Sequence, residues 1–435
     1  MKRLHGVIRS YAWGSHTVLA ELTGRPSPSD RPEAELWLGA HPADPAHVDD
    51  AVSGVSLLDV ISADPLGQLG AANAERFRGR LPFLLKVLAA DEPLSLQAHP
   101  NAVQAREGFE RENASGVPLD SPARNYKDDN HKPELVVALT KFEALAGFRD
   151  VRRTVALLRA LGVAELNRCA EQLEAQTNSS GIRALFTQWI TGDRHPATLI
   201  GGVVEGCRRY LSTMSDGADG EFAAEAQTAL ELGSRYPNDP GVLISLLLNR
   251  ITLEPGEGLF LAAGNLHAYL RGAAVEIMAN SDNVLRGGLT PKHVDVPELL
   301  NVLDFRPAPM PVLGADGVDP DLRRLYRTPE AEFELTRLKL DTSRDDGSSS
   351  AATLAAGDPR IVLCTAGSTV LSSQCDSLEL SAGQSAWLPA SNPAVTLAPA
   401  QQRAQVFVAR SAPSDVDSPR RQGDCAHMHS TNLDN

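Results

Sequence analysis

Between Asp150 and Leu248 the chain is rich in Ala, Leu and Glu, and its apolar residues recur at helical spacing; on either side it breaks into short apolar runs. This change of texture constrains the fold more than any other feature. Val203, Cys207, Tyr210 and Met214 fall on one helix face, and the abundance of good helix formers predicts about four or five helices in this block. Before it, runs such as Glu35–Gly39, Phe83–Leu88 and Leu135–Leu139 alternate with Gly, Pro and Asp breaks and read as strands of a β-rich region. Strand character returns at Ile251 and lasts to about Phe305. A Pro/Gly/Asp-rich connection follows, from Arg306 to Pro320. From Ala331 to about Arg410 come Glu332–Leu340, Ile361–Leu363, Ser385–Leu388, Val395–Leu397 and Val406–Val408, which suit a small all-β sandwich or barrel. Ser343–Ser350 reads as a solvated loop, and the polar tail beyond Ser411 as disordered.

A length of 435 residues exceeds one ordinary core, so two or three domains are expected. The layout is a discontinuous β domain over 1–149 and 249–320, a helical insertion over 150–248, a smaller β domain over 321–411 and a tail over 412–435. The fold class is mainly β with a helical insertion. With 41 basic and 55 acidic side chains the net charge is −14, which argues against nucleic acid or an anionic membrane as the main partner. An anionic small molecule could bind only where a few Lys and Arg reverse the field. Lys2 and Arg3 are followed by no apolar h-region, so no signal peptide is expected, and the strongest apolar stretch, Val242–Leu248, is too short to span a bilayer. Cys169, Cys207, Cys364, Cys375 and Cys425 form no CxxC pair, which points to a reducing, cytoplasmic setting rather than a disulfide framework or thiolate zinc.

Three segments carry candidate chemistry. In Leu94–Pro100, alternation in a strand would place Ser95, Gln97 and His99 on one face and Leu96 and Ala98 on the other. An edge strand with a solvated face fits this segment equally well. In Asn125–Leu135, Pro133 biases Lys132 towards an extended backbone, so Lys132 and Glu134 share a face entering the next strand. Alone, this cluster reads better as a charged surface loop. The third runs from Glu254 through His267 and Tyr269 to Lys292, with Glu276, Met278 and Asn280 on one strand face. A lone His267 is more often a satisfied histidine than a ligand.

Taken together, Tyr11–Gly14, Pro32–Pro42, Leu81–Pro100, Asn125–Leu139 and Ala274–Glu298 resemble the type I phosphomannose isomerases, in the same order and over most of the first 300 residues. The resemblance implies a cupin-type β-barrel or jelly-roll catalytic domain interrupted by a helical insertion, with a second, cupin-like β domain following. It implies one zinc ion per chain, on Gln97, His99, Glu134 and His267. Two imidazoles and a carboxylate are standard zinc donors, and a neutral amide oxygen leaves the ion electron-poor. It further implies isomerisation of mannose 6-phosphate and fructose 6-phosphate through a cis-enediol, as in supply of mannose for glycoconjugates. Arg286 matches the arginine that stabilises the enediolate; Glu276 matches the glutamate usually discussed in proton transfer, Lys132 and Asp282 match other active-site positions, and the base is left open among them. Ser95, Lys86 and Lys292 match phosphate-side residues, and Trp13 and Tyr269 join them as substrate-binding candidates. The partner is then a small sugar phosphate, with no obligate protein partner and a monomer expected. Where many members carry a lysine after the His-Pro-Asn run, this chain has Ala102.

Two other classes are weighed against this. A cupin Fe(II) oxygenase would use two histidines and a carboxylate, and His293-Val294-Asp295 has a suitable spacing, but the only later histidines are His427 and His429 in the tail. A catalytically silent sugar-phosphate binder would have lost ligands or Arg286, and both are present. A bifunctional relative would need a further nucleotide-binding domain with a Gly-rich loop, which is absent.

Overall fold

The computed structural model describes residues 1–49, 54–192, 196–213, 220–314, 323–342 and 350–413. Of the expected loop at 343–350, residues 343–349 lie outside them, as do the tail from 414 and Met214, Cys425, His427 and His429; Ser350 is buried, and its hydroxyl donates to the Asp341 carbonyl at 3.0 Å. The fold is mainly β, with two large antiparallel sheets and a helical segment between strands of the first.

In the first sheet Val7–Arg9, Glu35–Gly39, Phe83–Ala90, His267–Ala279, Glu134–Ala138, Gly258–Leu261 and Val312–Leu313 lie side by side. Alternation gives this sheet two different faces. Leu36, Leu38, Leu85, Val87, Leu135, Val137, Val275 and Ile277 point to one side and join Tyr326, Phe333, Leu335, Ile361, Trp387 and Phe407 of the second sheet in one apolar core. The opposite face carries Glu35, Trp37, Lys86, Glu276 and Glu134. The long strand His267–Ala279 changes partners midway: Gly272–Ala279 pairs with Phe83–Ala90, and His267–Arg271 pairs with Phe142–Phe148. Gly272 permits the corner. Its φ is +115°, and a Cβ there would lie 2.5 Å from the Lys141 carbonyl oxygen.

The second sheet is built from the C-terminal strands Arg323–Tyr326, Glu334–Asp341, Ala352–Leu354, Arg360–Ser372, Ser377–Ser381, Ser385–Leu388 and Val395–Arg410. Lys2–His5, His47–Val48 and Val55–Ser56 extend it, with Lys2 paired to Trp387 and Leu4 to Val48. The first 149 residues therefore do not all belong with the first sheet. No local pattern carries that information, because the pairings span more than 380 residues. Val395–Leu397 and Val406–Val408, separate runs in the sequence, are the two ends of one long strand.

Between Asp150 and Leu248 the described residues form six helices, five long and one of five residues, against the four or five expected. Asp150 starts the first by accepting the N–H groups of Arg152 and Arg153. The apolar faces of these helices form a core that continues into Leu96, Ala98, Leu145, Leu266, Ala268, Leu285 and Leu289. The insert is thus packed behind the short strands Leu96–Ala98 and Leu285–Gly288. Among the described residues, no helix is long and apolar enough to cross a membrane.

Candidate metal centre and active site

With Leu96 and Ala98 buried against the helical insert, Ser95, Gln97 and His99 are turned to the other face of their strand. Register then assembles the neighbours: His267 pairs with Gln97, Arg286 pairs with Gln97 from the opposite edge, and Met278 pairs with Glu134.

His99, Glu134 and His267 converge, with one ligand atom of each lying within 4.8 Å of the others. His99 Nε2 is 3.4 Å from Glu134 Oε1, and His267 Nε2 is 3.3 Å from Glu134 Oε2. A tetrahedral zinc with bonds of about 2.0–2.1 Å needs donor atoms roughly 3.3 Å apart. The ring orientations are fixed from behind: His99 Nδ1 lies 2.7 Å from the Asn283 carbonyl oxygen and His267 Nδ1 lies 3.1 Å from that of Asn265. Each Nδ1–H donates to a carbonyl, so each Nε2 presents its lone pair inward. His99 Nε2 is buried without a hydrogen-bond partner among the described residues, a costly state for a polar atom that a metal bond would relieve. Burial, with Lys132 adding to it, pushes the His99 imidazole down to about 4, so it is neutral and ready to ligate. Burial alone would raise the Glu134 carboxyl. Lys132, whose Nζ is 3.1 Å away, is the largest influence against that, and the carboxyl is held well below the usual carboxylate range. The donor set therefore fits zinc. Gln97 is half-buried beside it; its Nε2 donates to Ser95 Oγ at 3.5 Å, and among the described residues no group donates to its amide oxygen.

A second group lies behind the first. Trp37, Lys86, Glu276 and Val136 form one cross-strand row. Lys86 Nζ is 3.1 Å from Glu276 Oε2 and 3.6 Å from Glu35 Oε1, Trp37 Nε1 donates to Glu35 Oε2 at 2.8 Å, and the Tyr269 hydroxyl donates to Glu276 Oε1 at 2.8 Å. Burial lowers the Lys86 ammonium, but Glu276, Glu35 and Glu134 outweigh it and raise it. Glu276 is raised by its own burial and by Glu134 and Glu35, against the opposing pull of Lys86. Lys86 is 5% exposed and shared between two carboxylates. Tyr269 is 4% exposed, and its hydroxyl lies 2.8 Å from Glu276 Oε1 and 3.5 Å from Glu134 Oε2.

Arg286 is half-buried, and among the described residues no group accepts a hydrogen bond from its guanidinium; burial alone lowers it. Lys292 is exposed and is lowered by burial, then by the like charges of Arg286 and Lys127. Three cations thus share a field inside an acidic chain. Asp282, with its side chain 43% exposed, has His41 Nε2 at 3.6 Å. Beside these two residues opens a groove of about 1020 Å³ whose wall includes Lys127 but none of the metal-facing residues. Trp13 stacks on Tyr11 at 5.6 Å and packs on the apolar cluster that includes Leu94 and Tyr269.

Residues that the sequence did not single out hold the site together. Asn283, fully buried, accepts the N–H groups of Lys127 and Asp128 and donates to the carbonyls of Asp128 and Asn130, while its own carbonyl fixes His99. The only sequence signal was the run of short polar side chains between two strands, which often bond to backbone. His131 Nε2 lies 2.8 Å from Glu332 Oε1, which ties the Lys132 loop to the second sheet, and Glu330 completes that cluster. Asp295 of the HxD triplet caps the helix Val296–Val302 and accepts from Asn125, so its role is structural.

Comparison with known proteins shows which family the chain resembles. Residues 1–151 match the family model described as phosphomannose isomerase type I, catalytic domain. Mannose-6-phosphate isomerase of Escherichia coli (strain K12) is 40% identical over 408 residues, which is 94% of this chain and 99% of that protein. The human mannose-6-phosphate isomerase is 36% identical over 322 residues, covering 69% of this chain and 72% of that protein. A phosphomannose isomerase from Salmonella typhimurium, solved as a point variant, superposes with a TM-score of 0.82 at 36% identity, over 94% of this chain and 99% of that one. A structure of that organism's enzyme with fructose 6-phosphate and zinc bound gives 0.81, at the same identity and coverage. With identity at this level running nearly end to end, the chain belongs to the type I phosphomannose isomerase family.

Proposed function

We propose that this protein is an aldose–ketose isomerase that interconverts D-mannose 6-phosphate and D-fructose 6-phosphate, with one zinc ion per chain held by His99, Glu134, His267 and the amide oxygen of Gln97. The observation that carries the reading is the buried His99–Glu134–His267 triangle, in a chain that aligns over 94% of its length with an enzyme of that activity. When bound, zinc supplies Lewis acidity toward the sugar's oxygen atoms. The other roles fall to the chain. Lys292, in the shared field of Arg286 and Lys127, takes the phosphate dianion, with Ser95 offering a hydroxyl. Among the described residues Arg286 has no competing partner, which leaves its charge available to the enediolate that develops as the C2 proton leaves. Glu276 is the base: burial lifts its carboxyl towards the useful range, and Tyr269 and Lys86 fix one oxygen each. Lys132 keeps Glu134 ionised, and Asp282 faces the sugar hydroxyls. We place the protein in the cytoplasm, acting as a monomer.

The test is turnover of mannose 6-phosphate with metal analysis. Isomerisation is expected to vanish on chelation and return with zinc. Arg286→Ala is expected to lower kcat by about 10²–10³ with metal content unchanged, as loss of one preorganised charge-stabilising donor does. A metal-free sample that remains fully active would refute the zinc reading.

A further inference from the structure

One bend of the helical insert grips the segments on either side of it that lead to Ser95, Gln97 and His99 and to Arg286 and Lys292. Residues 235–241 join the helix Ala223–Arg235 to the short helix Gly241–Ser245. On one side Arg235 Nη1 meets Glu92 Oε1 at 2.6 Å, and the Tyr236 hydroxyl donates to the Pro93 carbonyl at 3.0 Å, just ahead of Ser95, Gln97 and His99. On the other side Asp239 Oδ1 accepts the N–H groups of Gly241 at 2.7 Å and Leu289 at 2.9 Å, and Oδ2 accepts that of Thr290 at 3.2 Å. Thr290 Oγ1 in turn accepts the N–H of Lys292 at 3.1 Å.

The segment that Asp239 holds needs holding. Leu289 has φ +56° and Gly288 φ +122°, and a non-glycine residue in the left-handed region costs on the order of 1 kcal/mol or more unless its surroundings enforce it. Pairing with the Gln97 strand slips register between Arg286 and Gly288, an irregularity of the kind that re-aims a side chain. The approach is close: a Cβ on Gly288 would lie 2.8 Å from Asp239 Oδ1, and one on Gly241 would lie 2.8 Å from the Leu289 nitrogen. One carboxylate therefore clamps a strained bend whose two ends carry Arg286 and Lys292.

We infer that Asp239 is a positioning residue for the isomerisation: it fixes the 287–290 bend and so the aim of Arg286 and Lys292 at the phosphate and the enediolate. This rests on the roles proposed above for those two cations. A carboxylate suits the task because it accepts three N–H groups at once. An amide would keep one acceptor oxygen and turn an NH2 donor toward a backbone N–H.

The test compares zinc-loaded Asp239→Ala, Asp239→Asn, Arg286→Ala and Leu173→Ala. Leu173 lies in the core of the same insert, away from the bend. The readouts are KM for mannose 6-phosphate, competitive inhibition by inorganic phosphate, zinc content and melting temperature. For Asp239→Ala, KM and the phosphate inhibition constant are expected to rise together by about tenfold, as misplacement on the ångström scale does, with zinc content unchanged. Asp239→Asn gives a smaller rise in both and carries the test if the alanine variant does not fold. Leu173→Ala lowers the melting temperature and leaves both constants where they were. Unchanged constants in the Asp239 variants, with Arg286→Ala impaired, overturn the positioning role alone. Unimpaired Arg286→Ala overturns the reading on which it rests.

Discussion

Lys86 lies 3.1 Å from Glu276 and 3.6 Å from Glu35, and all three are nearly out of solvent. At an effective dielectric of about 20 these separations correspond to roughly 5 kcal/mol of attraction each, before the desolvation of three charges is set against them. Lys86→Met keeps the length of the stem and removes the charge, which leaves two carboxylates facing each other. The expected cost is about 3–5 kcal/mol, the range for a buried pair that loses one partner. Part of the response is protonation. Lys86 is the largest influence lowering the Glu276 carboxyl, so without it that carboxyl rises further, and the acidic limb of kcat moves to higher pH. Urea unfolding of the zinc-loaded protein measures the first effect, and pH–rate profiles the second. Adding Glu35→Gln removes one of the two stranded carboxylates, so the double variant is expected to be more stable than the sum of the single effects by about 1–3 kcal/mol. Additivity within about 0.5 kcal/mol, or a cost for Lys86→Met no larger than that of an exposed ion pair, would refute the account of this row as a mutually dependent charge group.

Other perturbations probe the remaining supports. Burial disfavours the His131 imidazolium, but the hydrogen bond and charge of Glu332, with Glu330, outweigh it and raise the group. Its stabilising effect is then complete below the ordinary histidine value of about 6.5 and is lost as pH rises through the folded value. Glu332→Gln is expected to destabilise most at acidic pH and progressively less toward alkaline pH, as read from thermal unfolding across that range. Gly272→Ala drives a Cβ to 2.5 Å from the Lys141 carbonyl at a φ of +115°; unfolding free energies should show a loss of several kcal/mol, on the order of combined strain and overpacking costs. Zinc at 100 times its dissociation constant is expected to stabilise the protein by about 2.7 kcal/mol, and His99→Ala to abolish that increment in calorimetry.

Much of both sheets was legible because their strands stand as short apolar runs between Gly, Pro and Asp breaks. Glu35–Gly39 and Ser385–Leu388 appear with the limits read from sequence, and Phe83–Leu88 extends by two residues. The helical block was equally legible, since its apolar residues keep one face over many turns. Strand identity does not carry partner identity. Nothing near Lys2 indicates that it pairs with Trp387, and nothing within His267–Ala279 says that Gly272 divides it between two sets of neighbours.

The same asymmetry governs the site. Polar side chains that interrupt an apolar run mark candidate positions, as Ser95, Gln97, His99 and Glu134 do, but the local pattern alone fits a solvated edge or a charged loop as well. Lys86 interrupts one too, in Phe83–Ala90. A lysine in a buried strand calls for a counter-charge, and local sequence cannot say which groups supply it. Three-dimensional pairing brings the carboxylates to it, because Trp37, Lys86 and Glu276 come into one row only when strands some 50 and 190 residues apart line up. Asn283 and Asp239 show the limit most sharply. Each does its work through backbone N–H or carbonyl groups of distant segments, and those groups are the same in every residue, so they leave no mark on the sequence of the segment being held. Residues that make contact through backbone are therefore legible only from a structure, and the aim of Arg286 depends on one of them.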